Sequence, residues 1–462
     1  MKETKRRVEL FSFYDRTGLE AHLARMAGRG WLLEKIGAFL WTYRKIEPRQ
    51  LAFSVCYFPR ASQFDPEPSQ EQQTFYEFCA HTGWTLAASS AQLQVFYNER
   101  PDPIPIDTDP AVEVEAIHRA MKRGVLPSQA LLLGVAVLNG ALFVTRLLGD
   151  PIGVLASAAN LFTGLCWVLI IALLGVEWTG YFSWRRKAVR AAQRGEFCQT
   201  RSRRKLQIAS LVLLTIGLAY YILSVLSSGS RMMVTLMVLM FCVYIPAVFL
   251  LVFNIRGLLK RLKAPAGVNR AVSIAASLIL SLAILMGITF GTFYAYGRGW
   301  LSRDADAAWL PLAVDELTGA ERQDYIRASL TDQSLLLARF TAQQHPRRGA
   351  ERYTQLPSLE YTVTLVKAPF LYDLCKSSLL HDRAERWNRD MPEGSWYFYE
   401  PADPAPWGAA EAYQWTSRTS GPWNTYLLCY PDRFVEIEFD LKWTPTPAQM
   451  ALAGERLGRD AV

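Results

Sequence analysis

The chain is poor in the side chains that hold metals or act as nucleophiles. Its seven cysteines are scattered at positions 56, 79, 166, 198, 242, 375 and 429, with no CxxC pair, and its five histidines are equally dispersed. A zinc centre or a thioredoxin-like pair therefore has no support, and no metal or cofactor ligand set is predicted. There is no GxSxG, Walker loop or HExxH, and no GxGxxG placed on a strand-helix turn. Charge is also scarce. Charged residues make up 20% of the chain against 51% hydrophobic residues. That is low for a soluble protein and too high for a chain wholly within lipid, so a mixed protein is expected. The first fifteen residues, MKETKRRVELFSFYD, start basic but lead into no apolar run, and they do not read as a signal peptide.

What is present is strongly partitioned. Residues 1–128 carry 16 basic and 16 acidic side chains, residues 129–299 carry 17 and 3, and residues 300–462 carry 17 and 23. The basic excess thus lies between apolar segments, which favours anionic lipid headgroups over nucleic acid as its partner. Five apolar stretches, near 129–148, 152–176, 206–226, 232–253 and 272–296, approach the roughly 20 helical residues that a bilayer requires. Gly149-Asp150-Pro151 joins the first pair and 227–231 the second. The segment after the second stretch is rich in Arg and Lys from Arg185 to Lys205, and the segment after the fourth carries Arg256, Lys260, Arg261, Lys263 and Arg270. Basic loops stay in the cytoplasm. The alternation predicts a multi-pass cell-membrane protein with residues 1–128 inside and 300–462 outside. Trp178, Tyr181 and Trp184 would form an interfacial aromatic belt.

Residues 1–98 contain a weak duplication. A helix over 19–27, Gly30-Trp31 and a strand at 39–43 are echoed by a helix over 74–80, Gly83-Trp84 and a strand at 93–97. Strands at 8–13 and 51–58 precede the two helices. The order predicted is β-α-β-β-α-β, the ferredoxin-like pattern, with Gly30 and Gly83 in left-handed positions after each helix. Residues 99–128 form a linker with four prolines between 99 and 110, followed by a short polar helix. The domain 300–462 reads as extracytoplasmic and α+β. Helices are expected at 310–325, 331–340 and 447–457, strands at 361–366, 396–400, 424–430 and 434–440, and loops over 401–423.

The N-terminal segment resembles a bacterial family known only as a domain of unknown function, DUF2812. The resemblance rests on Phe13-Tyr14-Asp15, the helix ending in Met26-Ala27-Gly28-Arg29-Gly30-Trp31-Leu32-Leu33, Phe39, Tyr43 and the second Gly83-Trp84. It covers about the first 100 residues. It implies membrane helices after such a domain, and the C-terminal region, with Tyr426-Leu427-Leu428-Cys429-Tyr430-Pro431-Asp432-Arg433, is similar to the extracytoplasmic tail of longer members. It implies no activity.

Individual residues invite sharper readings. Trp31 and Trp84 could stack on a ligand or anchor helices to a sheet, and packing is the better reading. His22 and His81 lack companions at metal-ligand spacing. Glu177 sits near Arg185, as an interfacial ion pair would. No stretch holds a central Asp, Glu or Lys, which argues against an ion-coupled transporter. Gly287 and Gly291 form GxxxG, and Pro246 predicts a kink. Asn139 and Asn160 lie about ten residues either side of the 149–151 turn, ~15 Å along each helix, and could bond across the hairpin. Glu436 and Glu438 alternate with apolar residues, as on the solvent face of a strand. Cys375 and Cys429 are the cysteines of the predicted outer domain. A bridge would stabilise it by roughly 4 kcal/mol in the chain-entropy picture, and two buried thiols are the alternative. The function expected is non-enzymatic: an extracytoplasmic sensing or binding domain coupled to a cytoplasmic one. The alternative is an accessory subunit of a transport or envelope-stress complex, its helices packed on a membrane partner or a second copy. A membrane enzyme with an unrecognised site is the third class.

Overall fold

The computed structural model describes residues 3–37, 40–100, 102–200, 204–227, 231–298, 310–319, 321, 324–347, 356–440 and 443–459. They form two compact units. One comprises 1–139, 166–215 and 240–286, and the other 140–165, 216–239 and 287–462.

In the first unit the duplication is plain. Strand β1 (Thr4–Val8), helix α1 (Arg16–Ala27), β2 (Trp31–Lys35) and β3 (Leu40–Lys45) are followed by β4 (Ala52–Tyr57), α2 (Gln70–His81), β5 (Thr85–Ser90) and β6 (Leu93–Asn98). Each half is β-α-β-β with its own antiparallel three-stranded sheet, ordered β1-β3-β2 and β4-β6-β5. This replaces the single β-α-β-β-α-β run expected. The strand directly after each glycine differs from expectation: β5, TLAASS, has almost no apolar alternation, and β2, WLLEK, is only five residues long. The first strand also lies earlier than expected, in the basic run TKRRV. Gly30 and Gly83 do take left-handed φ values of 81° and 87°, which glycine adopts without a Cβ penalty. Both helices are capped from their own side chains: Asp15 accepts from Gly18 N–H and Ser69 from Gln72 N–H.

Helix α3 (Pro110–Ala120) starts with Asp109 as cap and Pro110 in its first turn. It runs through a π-helical turn, Met121–Val125, into α4 (Leu126–Gly149). Then follow α5 (Pro151–Leu155), α6 (Ala158–Ala192), α7 (Arg204–Ser227), α8 (Arg231–Val238), α9 (Ile245–Arg261) and α10 (Ala266–Gly297). Five of the resulting helical runs are long and apolar enough to cross a membrane. Two details differ from expectation. The second run breaks after α5, and α6 continues through the basic cluster to Ala192. Between α8 and α9 the helix widens into a π turn at Leu239–Tyr244, directly before Ile245-Pro246. Proline offers no N–H to the turn behind it, and the widened turn absorbs that loss.

The second unit holds α11 (Val314–Thr318), β7 (Tyr325–Gln333), β8 (Leu337–Pro346), β9 (Leu359–Val366), α12 (Tyr372–Ser377), α13 (Arg383–Asn388), β10 (Tyr397–Ala402), β11 (Glu411–Ser417), β12 (Gly421–Cys429), β13 (Arg433–Phe439) and α14 (Pro447–Arg459). The seven strands form one antiparallel sheet ordered β10-β11-β12-β13-β9-β8-β7. The helix expected over 331–340 is in fact the β7–β8 hairpin. Ser334 makes the turn: its N–H donates to Leu337 O at 2.8 Å, and its Oγ accepts from Leu336 N–H at 3.0 Å. Residues 401–423, expected as loops, include β11. One sheet face packs Tyr361, Val363, Val435 and Ile437 under Ala453 and Leu457 of α14. Gly454 of α14 lies so close to the Trp407 carbonyl that no Cβ would fit. The opposite face is divided. Leu337, Val366, Leu427, Cys429 and Phe434 pack with Cys375, Ile152 and Ala156, while the neighbouring outward residues of β8, β9 and β13 are polar.

Candidate functional site

In the first unit the N-terminal domain and the helix ends share one core. Tyr14, Leu19 and Leu23 pack with Ile117 and Met121 of the α3 run and with Tyr181, Trp184 and Ala188 of α6. The Tyr14 ring lies 5.5 Å from both Tyr181 and Trp184, and His118 Nδ1 is 2.7 Å from Tyr181 Oη. The aromatic belt read from Trp178, Tyr181 and Trp184 is thereby corrected. Tyr181 and Trp184 are buried against protein, and Trp178 Nε1 donates to Gln129 Oε1 at 2.9 Å. They face the domain because α6 outruns its apolar segment.

A polar clasp surrounds that core. Thr200 Oγ1 donates to Asp15 Oδ1 at 2.6 Å, Thr200 N–H to Thr17 Oγ1 at 2.9 Å, and Thr17 Oγ1 to Thr200 O at 3.1 Å. Asp15 thus caps α1 and holds the α6–α7 segment at once. Ser12 Oγ donates to Glu177 Oε2 at 2.8 Å, so a serine of the N-terminal domain bonds the carboxylate that was expected to pair with Arg185. Arg204, the first residue of α7, lies 3.6 Å from Glu9. Glu9 is also approached by His22 at 3.1 Å, Tyr43 at 3.2 Å and Arg7 at 3.6 Å. Burial works to raise the Glu9 pKa, but His22, Arg7 and Tyr43 together hold it below the usual value. Arg16 meets Glu20 and Asp107 at 3.3 Å and Glu113 at 2.6 Å. Burial pushes the Glu20 and Asp107 carboxyls upward against the pull of Arg16.

The second basic segment is held by the loop between β4 and α2. Lys263 lies 3.0 Å from Glu67, Arg256 Nη1 donates to Gln63 Oε1 at 3.0 Å, and Asn269 Nδ2 donates to Phe64 O at 3.2 Å. The sequence pointed to few of these residues. Asp15 stood out in the sequence only as part of Phe13-Tyr14-Asp15, and Thr17, Thr200 and the 63–67 loop carry no local pattern. His22 is taken by Glu9 rather than His81, and no group of three metal-ligating side chains exists among the described residues. Trp84 is buried, with Nε1 donating to Ile104 O at 2.9 Å, and Trp31 packs at the edge of the other core under Lys5. Neither forms a stacking pair with the other.

In the second unit a pocket of about 320 Å³ opens on the polar half of the sheet. Its floor is Arg339 and Thr341 of β8, Thr362 and Thr364 of β9, and Glu436 and Glu438 of β13. Asp150, Ile152, Ser378 and Leu379 close it from the other side. The two glutamates read as a solvent face therefore line a cavity. Arg339 Nε is buried with no hydrogen-bond partner among the described residues. Glu360, also in the wall, accepts from Gln343 Nε2 at 3.1 Å and lies 3.2 Å from His345.

The remaining sequence candidates find other places. Cys375 and Cys429 are free, buried thiols in one apolar cluster, so the bridge considered from the sequence is not formed. Burial pushes both thiols up to about 11. Asn139 Nδ2 donates to Val135 O of its own helix at 2.8 Å, and the backbone N–H of Asn160 donates to Ser157 Oγ at 3.4 Å. The need for an amide partner across the hairpin is thus met locally at Asn139. A Cβ at Gly287 or Gly291 would meet nothing within 4 Å, while Gly164 and Gly217 are the glycines packed against Phe143 and against Phe162 and Leu165.

Comparison with known proteins finds no match among curated proteins and none among solved structures. A family profile described as "Protein of unknown function (DUF2812)" does match, over residues 16–127. The match begins at the first residue of α1, leaves out β1, takes in β2 to β6 with α2, the linker and α3, and stops one residue after α4 begins.

Proposed function

We propose that this chain is a non-enzymatic multi-pass membrane protein whose DUF2812 region reads, from the cytoplasm, the arrangement of helices that carry an extracytoplasmic binding domain. The observation that carries this reading is the double attachment in the first unit. Residues 9–17 hold the α6–α7 segment, and residues 63–67 hold the α9–α10 segment. These are the two segments that the positive-inside rule assigns to the cytoplasm. An odd number of crossings then carries residues 300–462 to the other side. Coupling needs a domain that senses helix displacement, and attachment at several helix ends supplies that lever.

Reporter fusions at residues 120, 195, 265 and 440 test the topology, with in, in, in and out expected. A cytoplasmic signal at 440 overturns it. Coupling is tested by hydrogen exchange on the full chain in lipid nanodiscs. Asp15→Ala should lower protection around 193–200 and also alter exchange at 150–157. A change confined to the N-terminal domain would overturn coupling.

The accessory-subunit reading keeps one supporting observation, the open faces at Gly287 and Gly291, where a partner helix could approach closely. A stoichiometric membrane partner on copurification, lost in Gly287→Leu, would favour it.

A further inference from the structure

We infer that an apolar edge of the C-terminal domain, formed by Leu335, Phe370 and Leu374, rests in the headgroup and upper acyl layer of the membrane, beside the turn that joins the first two long apolar helices. The domain then touches the lipid surface directly in addition to hanging from its helices. The inference rests on the membrane-spanning part of the proposed function and not on sensing.

The edge is placed by the link between two apolar spans. Helix α4 ends at Gly149, with Arg146 and Leu148 exposed in its last turn. Asp150 caps α5, and Ser157 Oγ accepts from Asn160 N–H at 3.4 Å where α6 begins. Ser334 Oγ donates to Leu155 O at 2.6 Å, which sets Leu335 next to a residue only three positions ahead of α6. Leu336 O accepts from Lys367 N–H at 3.0 Å and from Ala368 N–H at 3.2 Å. The segment leading to Phe370 is therefore stitched to the same turn. Leu371 and Cys375 pack inward with Ile152 and Ala156. Phe370 and Leu374, four residues apart on one helical face, are left outward. Phe370 is 79% exposed, Leu335 69% and Leu374 46%.

Single exposed apolar side chains are ordinary, but these are unevenly spread. Leu330 of β7 stands opposite Thr341, and the Trp387 ring of α13 lies 5.9 Å from Tyr397, which alternates with Tyr399 of the cluster around α5. Both Leu330 and Trp387 are exposed, and both belong to the sheet face that carries α5. The polar pocket floor on that face is roofed by Asp150, Ile152, Ser378 and Leu379. On the opposite face the exposed large side chains of α14 are Glu455, Arg456 and Arg459. The domain thus turns an apolar rim toward the helix ends and charge away from them.

Position decides the occupant. Leu148 and Leu335 adjoin α5 from its two sides, so the edge continues the apolar surface of the helix ends. In a bilayer those ends are already surrounded by lipid, and a water-soluble partner must displace it to reach the edge. Arg146, one turn before Asp150, marks the headgroup level, because long cationic side chains reach toward it from helix ends. An aromatic ring such as that of Trp387 suits the same layer.

The test uses the full chain in nanodiscs of phosphatidylethanolamine and phosphatidylglycerol, doped with a phosphatidylcholine that carries a photoactivatable diazirine. One probe carries it high on the acyl chain, the other at the chain end, and labelled peptides are mapped by mass spectrometry. The high probe should label 334–337 and 369–375. The chain-end probe should label them at least tenfold less while labelling the middle of α4 and α10, and α14 should stay unlabelled by both. Phe370→Asp combined with Leu374→Asp should abolish labelling of 369–375 and leave the helices labelled. Both positions are exposed, so an unchanged thermal midpoint is expected and checks the fold. Leu335→Ser, a milder change, should lower labelling of 334–337 severalfold. Labelled helices with an unlabelled edge overturn the inference and leave the membrane reading standing, whereas unlabelled helices overturn both. An edge that cross-links to a second copy in place of lipid also overturns it.

Discussion

The two folded regions are tied to their apolar helices by opposite chemistry. In the N-terminal unit a shared aromatic and aliphatic core is ringed by Asp15, Thr17, Thr200, Ser12 and Glu177, and by the Arg16 and Glu9 charge clusters. In the C-terminal unit the attachment among the described residues is mainly apolar: Ile152 and Ala156 enter the sheet's core, and a polar bond from Ser334 Oγ to Leu155 O at 2.6 Å accompanies them. Apolar contact is insensitive to direction and to pH, whereas buried hydrogen bonds and ion pairs fix one geometry and respond to protonation. The first unit is thus built to hold a specific arrangement of helix ends, and the second to keep its sheet seated beside a turn, with half of that face polar.

The comparison breaks first where the apolar core of the first unit is emptied. Tyr181→Ala removes a fully buried ring together with its bond to His118, and should cost about 3–5 kcal/mol. Thermal unfolding followed by exchange of α1 should show the loss in the N-terminal unit, with β8 to β13 unaffected. Equal loosening of both units would mean that they unfold as one and that the distinction between attachments has no energetic content.

The polar attachments can then be set against each other. Asp15→Ala deletes a helix cap and a charge-assisted bond to Thr200, worth together about 2–3 kcal/mol. Ser334→Ala deletes a neutral bond to Leu155 and the turn bond that its Oγ accepts from Leu336 N–H, worth together about 1–2 kcal/mol. Exchange at 193–200 in the first variant and at 150–157 in the second measures both. A larger effect at Ser334 would reverse the contrast.

How far these attachments were legible in the sequence follows from how local their signals are. The long apolar helices, the glycine-ended duplicate helices and the alternating strands around Val363 and Val435 each announce themselves within ten to twenty residues. The hairpin of β7 and β8 did not, because TDQSLLLARF has apolar residues at helical spacing as well as alternation. What decides between them is long-range pairing of β8 with β9. Arg339 lay inside that misread segment, so the pocket floor could not be assembled from the sequence. Thr200 met the same obstacle in the other unit. A threonine in a basic loop shows nothing until a fold brings Asp15 beside it.

Protonation sharpens the contrast further. Glu20 and Asp107 bind their protons more tightly in the folded protein than in the unfolded chain, because burial raises both. Their contribution to stability is therefore fully present below the ordinary carboxylate range and is lost as pH rises through the folded pKa. Glu9, held low, contributes in the opposite sense: its share is present above the ordinary glutamate pKa and is lost as pH falls. Glu20→Gln, which keeps an acceptor for Val55 N–H, should gain on the wild type as pH rises from about 4 to neutrality. Scans of N-terminal unfolding against pH check this, and parallel curves for the two proteins would show that Glu20 is not the titrating group.

The smallest effect belongs to the cysteines of the second unit. A bridge between Cys375 and Cys429 would make that unit sensitive to reductant, since loss of a native disulfide commonly costs 2–5 kcal/mol. The structure instead places both as free thiols among Leu371, Leu427 and Phe434, where they act as small apolar residues. Burial pushes both thiols up to about 11, so little thiolate exists near neutral pH to react. Unfolding of the C-terminal unit should therefore be the same with and without dithiothreitol, and alkylation by iodoacetamide should wait for unfolding. A midpoint that drops on reduction would restore the bridge and add a covalent constraint to a unit otherwise held by packing.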